Sequence, residues 1–358
     1  MNEYLTILAR NFVYAKVALR KFMSLQTWRG MTIITAALAL PLGGAVAQSI
    51  NLPTVDVTPA NQASLPVDVS YVPIVFRRVS GIRPFVEITM NGKPFQMMVH
   101  ANATLYAMTT HANADMIGLS GLGKQSDYGI SSEGNRSDLG RTSATLESLR
   151  VGDHEATNVR LSVFEVPQDP KIDGMLGINW LRSQRAIVDY DAYRVGTAKT
   201  AADSTAVDGE LLKRGYIAHK MTWDPVAQRY SVQGALGGVP MRLAISTVAE
   251  SMLDSIFAQA HGIQLGPVVD QEGGPKGSLV DSRITKYQLQ LAVDGQQTAP
   301  VQPLSFDPYA YSSVPRPEKT DFDASLGADF MLANQAVIDF GSEILFVAPS
   351  GLLKSPQP

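Results

Sequence analysis

The chain has 358 residues, 45% apolar and 18% charged, with a net charge of −3 and no cysteine. That length supports one large or two medium domains with real cores, and the composition excludes wholesale disorder. No basic stripe runs through the body of the chain, which argues against a nucleic-acid partner. The missing cysteines remove disulfides, thiolate catalysis, zinc–thiolate sites and a lipid-modified Cys together.

In chain order, residues 1–30 are basic, with Arg10, Lys16, Arg20, Lys21 and Arg29, and lack acids after Glu3. The apolar run "MTIITAALALPLGGAVAQS" follows and ends in Ala45-Val46-Ala47. This order is that of a secretory signal over 1–47, cleaved after Ala47, which predicts a periplasmic protein. The alternative is an uncleaved anchor at 31–47, the one route to a membrane, although the run is short and broken for a span. Residues 48–80 carry Pro53, Pro59, Pro66 and Pro73 and read as an extended tether. The body is expected to start near Gly81 and to end at 350, leaving 351–358 as a tail.

"PFVEITM" and "PFQMMV" flank Asn91-Gly92, a strong two-residue hairpin signal. A helix is expected over 104–117, then a second hairpin turning at Gly152-Asp153, then a short helix after "GMLG". The polar stretch 201–211 reads as a linker. Beyond it, the same order returns. "GKPFQMMVHANA" (92–103) aligns with "GVPMRLAISTVA" (238–249) at a shift of 146 residues, and "ADMIGL" (114–119) falls on "AHGIQL" (260–265). "DGMLGINWL" (173–181) aligns with "DASLGADFM" (323–331) and "RAIVDY" (185–190) with "QAVIDF" (335–340), both at a shift of 150. Four blocks in one order with nearly constant spacing define a duplicated unit. The lobes are 81–200 and 212–350, with a second-lobe helix over 250–261 and a turn at Asp294-Gly295. Two β-rich lobes predict a mainly β, bilobal architecture with any site in the cleft between them.

Each lobe resembles a retropepsin-like aspartic protease unit, and the pair resembles the bilobal pepsin arrangement. The residues carrying this are "NGKPFQMMV", "ADMIGL", "GMLGINWL" and "AIVDY" in the first lobe, with "GVPMRLAI", "HGIQL", "SLGADFM" and "AVIDF" in the second. The resemblance spans roughly 82–348 and implies two β-barrel lobes, a flap that includes Tyr128, Gly129 and Ile130, and structural roles for Asp173, Asp189, Asp323 and Asp339. It also implies an Asp-Thr/Ser-Gly-Ala tetrapeptide per lobe. This sequence departs there: it has His100-Ala101-Asn102-Ala103 and Ser246-Thr247-Val248-Ala249. The family's chemistry needs two carboxylates sharing a proton. Both are missing, as are the glycines that let backbone approach backbone. Asn102 tolerates an unusual backbone angle, but β-branched Val248 does not readily hold a positive φ.

The expectation is therefore a pseudoprotease that binds a peptide or protein partner in the cleft, or serves as a subunit of an envelope complex. The alternative is an altered hydrolase in which His100 serves as base and Ser246 as nucleophile, with Glu250 and Asp254 along the second helix as the nearest acids. The five histidines, His100, His111, His154, His219 and His261, show no metal-ligand spacing. His111 and His261 are expected at near-equivalent places on the two helices. "GLSGLGKQS" (118–126) lacks the strand and helix of a phosphate-binding loop. No metal and no cofactor are expected.

Overall fold

The computed structural model describes residues 68–79, 81–126, 140–165, 172–273, 279–310, 316–317, 320–351 and 353. All of them fall in the compact unit Asn51–Pro358. The expected leader 1–47, most of 48–80, the flap residues Tyr128, Gly129 and Ile130, and most of the 351–358 tail lie outside the described residues.

Strands β1 (Val69–Pro73) and β2 (Val75–Arg78) precede the hairpin of β3 (Ile82–Met90) and β4 (Lys93–His100). Next come β5 (Ala107–Thr109), helix α1 (His111–Met116), and the long hairpin of β6 (Thr142–Val151) and β7 (His154–Val163). The first lobe closes with β8 (Gly174–Gly177), α2 (Ile178–Ser183), β9 (Ala186–Asp189) and β10 (Arg194–Ala198). Helix α3 (Ala201–Lys213) leads to β11 (Ile217–Lys220), β12 (Thr222–Asp224) and the hairpin of β13 (Arg229–Leu236) and β14 (Val239–Ile245). Then follow β15 (Met252–Asp254), α4 (Ser255–Ala260) and the hairpin of β16 (Leu265–Gly273) and β17 (Leu279–Thr285). The second lobe ends with β18 (Leu291–Val293), β19 (Gln296–Gln297), β20 (Leu304–Phe306), β21 (Ala324–Leu326), α5 (Ala328–Ala333), β22 (Val337–Asp339) and β23 (Ile344–Val347).

The fold is mainly β and built as two like lobes. The first-lobe sheet runs β2-β3-β4-β8-β5-β7-β6, and an extra β3–β6 pairing curls it into a barrel. In it β8 lies parallel to β4 on one side and antiparallel to β5 on the other. The second lobe repeats that threading, with β21 parallel to β14 and antiparallel to β15. Backbone detail repeats too. Asn91-Gly92 turns with φ 47 and 78, and Gly237-Gly238 turns with φ 57 and 85, the doubly left-handed turn that suits a two-residue hairpin. Asp173 accepts from the Gln96 amide, and Asp323 accepts from the Arg242 amide.

A six-stranded sheet, β1-β10-β9-β22-β23-β11, joins the lobes, each giving three strands. At its centre β9 and β22 run antiparallel, with Val188 opposite Ile338. One face carries Val188, Val195, Ile338, Leu345 and Val347 into the main core, and the other carries Ile187, Val337 and Phe346 beneath α3. Away from the sheet, the Arg182 guanidinium of α2 lies over the Trp223 ring at 3.9 Å and donates to the Tyr230 hydroxyl, 3.1 Å.

Four expectations need correction. The segment 48–80 is not wholly a tether, because β1 pairs along β10 and β2 along β3. Its prolines obscured the pattern, but Pro73 sits at the end of an edge strand, where a missing N–H is tolerated. The linker 201–211 is helical. Thr200 caps it in a box with Asp203, and Ser204, Val207, Asp208 and Leu211 form the buried stripe. The helices expected over 104–117 and 250–261 shrink to 111–116 and 255–260, since β5 and β15 are three-residue buried strands paired on both sides. His111 and His261 are not equivalent: His111 opens α1, whereas His261 is the C-cap of α4.

Ile338 is fully buried at the seam. Ile338→Ala is expected to destabilise the protein by about 2–5 kcal/mol. Denaturant melts should show a lower midpoint with an unchanged slope, since both lobes lean on the same sheet.

Candidate functional site

The two tetrapeptides do meet. β4 ends at His100, held beside Gly177 by the parallel pairing with β8. β14 ends at Ile245, and the Ser246 amide donates to Leu326 O, 2.9 Å. Each loop then docks under a helix start in the same way: the Ala103 carbonyl accepts from the Ile178 amide, 2.9 Å, and the Ala249 carbonyl from the Ala328 amide, 2.8 Å.

Between the loops the join is one-sided. Thr247 Oγ1 accepts from the Ala101 amide and donates to Val99 O, both at 2.8 Å. Ala101 occupies the corresponding place in the first lobe and has no hydroxyl with which to reciprocate. Two further bonds support the second loop from the first lobe. The Tyr190 hydroxyl donates to Thr247 O, 2.7 Å, and the Ala249 amide donates to Ile82 O, 2.7 Å.

The left-handed position is neither Asn102 nor Val248, in keeping with the poor fit of a β-branched residue to a positive φ. Both keep a negative φ, and Ala249 takes the left-handed angle at φ 62. A methyl side chain tolerates that angle at a cost of about 1 kcal/mol, far more easily than a β-branched one. Val248 is instead freed to pack. It joins Val79, Phe85, Met98, Met108, Phe164 and Met175 in an apolar cluster drawn otherwise from the first lobe. An apolar side chain therefore plugs the floor.

His100 and Ser246 do not form a pair: no hydrogen bond joins them among the described residues. The Ser246 hydroxyl donates to Val248 O, 3.0 Å, and accepts from the Val248 amide, 3.3 Å, which closes its own turn. His100 Nδ1 accepts from the Asn102 amide, 3.3 Å, so the ring proton is on Nε2. Burial, and then the Arg83 guanidinium, push the His100 imidazole down to about 3. The two acids named from sequence are committed elsewhere. Glu250 pairs with Arg78, 3.4 Å, and Asp254 caps α4 and pairs with Arg316.

Three residues near this floor were not singled out in the sequence. Arg83 is half-buried on β3 and donates to Val79 O at 2.9 Å, and desolvation pushes its guanidinium below its usual range. Glu272, on β16, and Glu250 act on it electrostatically, and burial raises the Glu272 carboxyl. Asp329, on α5, accepts from the Ser251 amide and hydroxyl and from its neighbour's amide, each at 2.7 Å, and burial pushes it up to about 6. Glu250, already named from the sequence, follows the second tetrapeptide directly; Arg83, Glu272 and Asp329 carried no spacing signal. In the second lobe, a cavity of about 680 Å³ lies between α4 and the β16–β17 hairpin, lined by Ile256, Leu265, Val280 and Phe306 together with Arg283, Asp281 and Asp307.

Thr247→Val deletes both cross-lobe bonds of the hydroxyl and leaves a buried carbonyl and amide unpaired. It is expected to cost about 1–3 kcal/mol, read as a lowered melting midpoint. For His100, the folded ring refuses a proton that the unfolded chain takes below about 6.5. Stability from this residue therefore falls as pH drops from about 6.5 toward 3. Its ring resonances should stay flat from pH 8 to 5 in NMR spectra, and His100→Gln should remove that part of the acid sensitivity.

Residues 86–183, from β3 through α2, match the family model described as "gag-polyprotein putative aspartyl protease". A search of curated proteins gives no match. Among solved structures, the chain is similar to an aspartic proteinase from Irpex lacteus, at 13% identity and TM-score 0.47, covering 81% of this chain and 100% of that one. It is similar to basic 7S globulin from soybean at 11% identity and TM-score 0.41, covering 79% and 95% of the two chains. It is also similar to a retropepsin-like aspartic protease from Rickettsia conorii at 20% identity and TM-score 0.27, covering 37% of this chain and 92% of that one. The first lobe thus resembles that family model, and the second lobe repeats its central strand threading, which gives the chain an aspartic-protease-like, bilobal β fold.

Proposed function

We propose that this protein is an exported, non-catalytic aspartic protease homologue that binds an extended peptide or a segment of a protein partner. The observation that carries the reading is the floor of the site. Among the described residues, the side chains at the two family aspartate positions, His100 and Ser246, bond within their own loops, and Val248 fills the space between lobes with an apolar side chain. Water activation between two carboxylates has no groups to perform it there. A Ser–His mechanism would need the Ser246 hydroxyl released from Val248 and an acid behind His100, and the nearest candidates are engaged in other pairs.

Binding needs less than catalysis. A protease-like frame offers strand edges to a peptide's main chain, and the pocket beneath the β16–β17 hairpin offers an apolar wall with Arg283 at its side. Main-chain pairing supplies affinity, and such a pocket selects a side chain. The leader-like order of the N-terminal residues supports an activity outside the cytoplasm, with an envelope complex as one setting for the partner.

The purified protein should cleave none of a set of peptide substrates between pH 3 and 8, yet retain a subset in a binding assay. Ile256→Arg, at the mouth of the pocket, should weaken that retention about tenfold or more without lowering the melting point. Acid-dependent cleavage blocked by an aspartic protease inhibitor would overturn the proposal, and so would retention of no peptide at all.

A further inference from the structure

The repeat breaks its symmetry at one buried place, and that break leaves two carboxyl groups facing each other. Asp189 and Asp339 hold matching positions at the ends of β9 and β22. Asp189 Oδ1 accepts from the amides of Asp191 and Ala192, and Asp339 Oδ1 accepts from those of Gly341 and Ser342. In the first lobe the other oxygen meets Arg194 Nε, 3.1 Å. A shift of 150 residues from Arg194 gives Ile344. The remaining oxygen of Asp339, Oδ2, is buried with no such cation, and Asp208 of α3 comes within hydrogen-bonding reach of it.

Asp208 is 8% exposed and Asp339 fully buried. Asp208 Oδ1 and Asp339 Oδ2 both lack any donor with a fixed proton. Ser204, one turn before Asp208 on α3, lies against Gly341 and keeps a buried hydroxyl without a partner. The other groups around the pair are few. Tyr71 of β1, Asp189 and Arg194 share its sheet face, Ser342 donates to Asp208, and Lys220 of β11 sits near enough to favour the Asp208 carboxylate. Lys220 is itself engaged with Ser342 O at 2.9 Å and Glu343 at 3.4 Å. Arg185 packs its stem on Gly341, with its head turned to Lys199 O.

We propose that one proton shared between Asp208 and Asp339 clamps the connecting helix α3 to the six-stranded sheet, so that the join tightens in acid and loosens as pH rises. Two carboxylates cannot both stay charged at contact distance in a buried site, so one keeps its proton. Burial, with Asp208 as a second acid beside it, pushes Asp339 up to about 7. The unfolded chain releases that proton near 4. The folded state therefore holds more protons between about 4 and 7, and the clamp's contribution is lost across that window as pH rises. This sign is opposite to that of His100, which separates the two on a pH axis.

Hydrogen exchange on the full-length protein tests the clamp locally. Amides of Val207 to Leu211, corrected for intrinsic rates, should lose about tenfold or more of their protection between pH 5.5 and 8.5, since one unit of pKa is a factor of ten. Asp208→Asn puts a permanent amide donor beside Asp339 and should flatten that response. Amides of Val159 to Val163 in β7, on a different sheet, serve as the internal control. Equal α3 protection at both pH values in the wild type would overturn the proposal. So would an unchanged response in Asp208→Asn. Should that variant not fold, the wild-type comparison decides alone.

Discussion

The antiparallel pairing of β9 with β22 is the constraint from which the rest follows. It fixes Val188 against Ile338 and makes one sheet of strands from both lobes. Because β9 follows α2 and β22 follows α5, that pairing also fixes where the two helices sit. Their first amides grip Ala103 and Ala249, so the two tetrapeptide loops are set opposite each other before any side chain between them is chosen. Catalytic residues could change on this frame without moving it, because backbone bonds hold the loops.

What the loops then contain is a division of labour between lobes. The second loop supplies the hydroxyl that reaches across, the valine that fills the floor and the left-handed residue. The first loop supplies backbone donors and acceptors and a neutral imidazole turned on itself. A pair of proton-sharing carboxylates at such a floor demands polar surroundings and a small backbone beneath. Here methionine and phenylalanine side chains surround Val248, and a low-polarity pocket of that kind disfavours any charge.

Much of this frame was legible in the sequence, for a physical reason. A duplicated chain must satisfy the same hydrogen bonds twice, so residues that accept backbone amides recur at fixed spacing. Asp173 with Asp323 and Asp189 with Asp339 are such pairs, and the Asn91-Gly92 turn returns as Gly237-Gly238. Elements set by tertiary pairing were not legible. β5 and β15 are three residues long, too short for periodicity, and exist because neighbouring strands on both sides complete them. The helix α3 hid behind a polar composition, yet its capping box and its buried stripe at 204, 207, 208 and 211 were present to be read. At the site, the tetrapeptides were found by alignment. Arg83 and Glu272 come from distant strands, and only folding brings them near the floor.

The one-sided reach of Thr247 has a consequence for substitution. A site that differed from the family pattern only at its two acids would be two substitutions from that pattern. Here His100, Ala101, Asn102, Ser246 and Val248 all differ from the tetrapeptide of the family the chain resembles, and Ala249 holds the left-handed backbone angle. The contacts interlock: with no hydroxyl at 101, the side-chain bonds between the two loops come from Thr247, and the next residue, Val248, packs in the first lobe's apolar cluster. The floor is thereby a seam between lobes, and a substitution at any one of these positions meets neighbours fitted to the present residue.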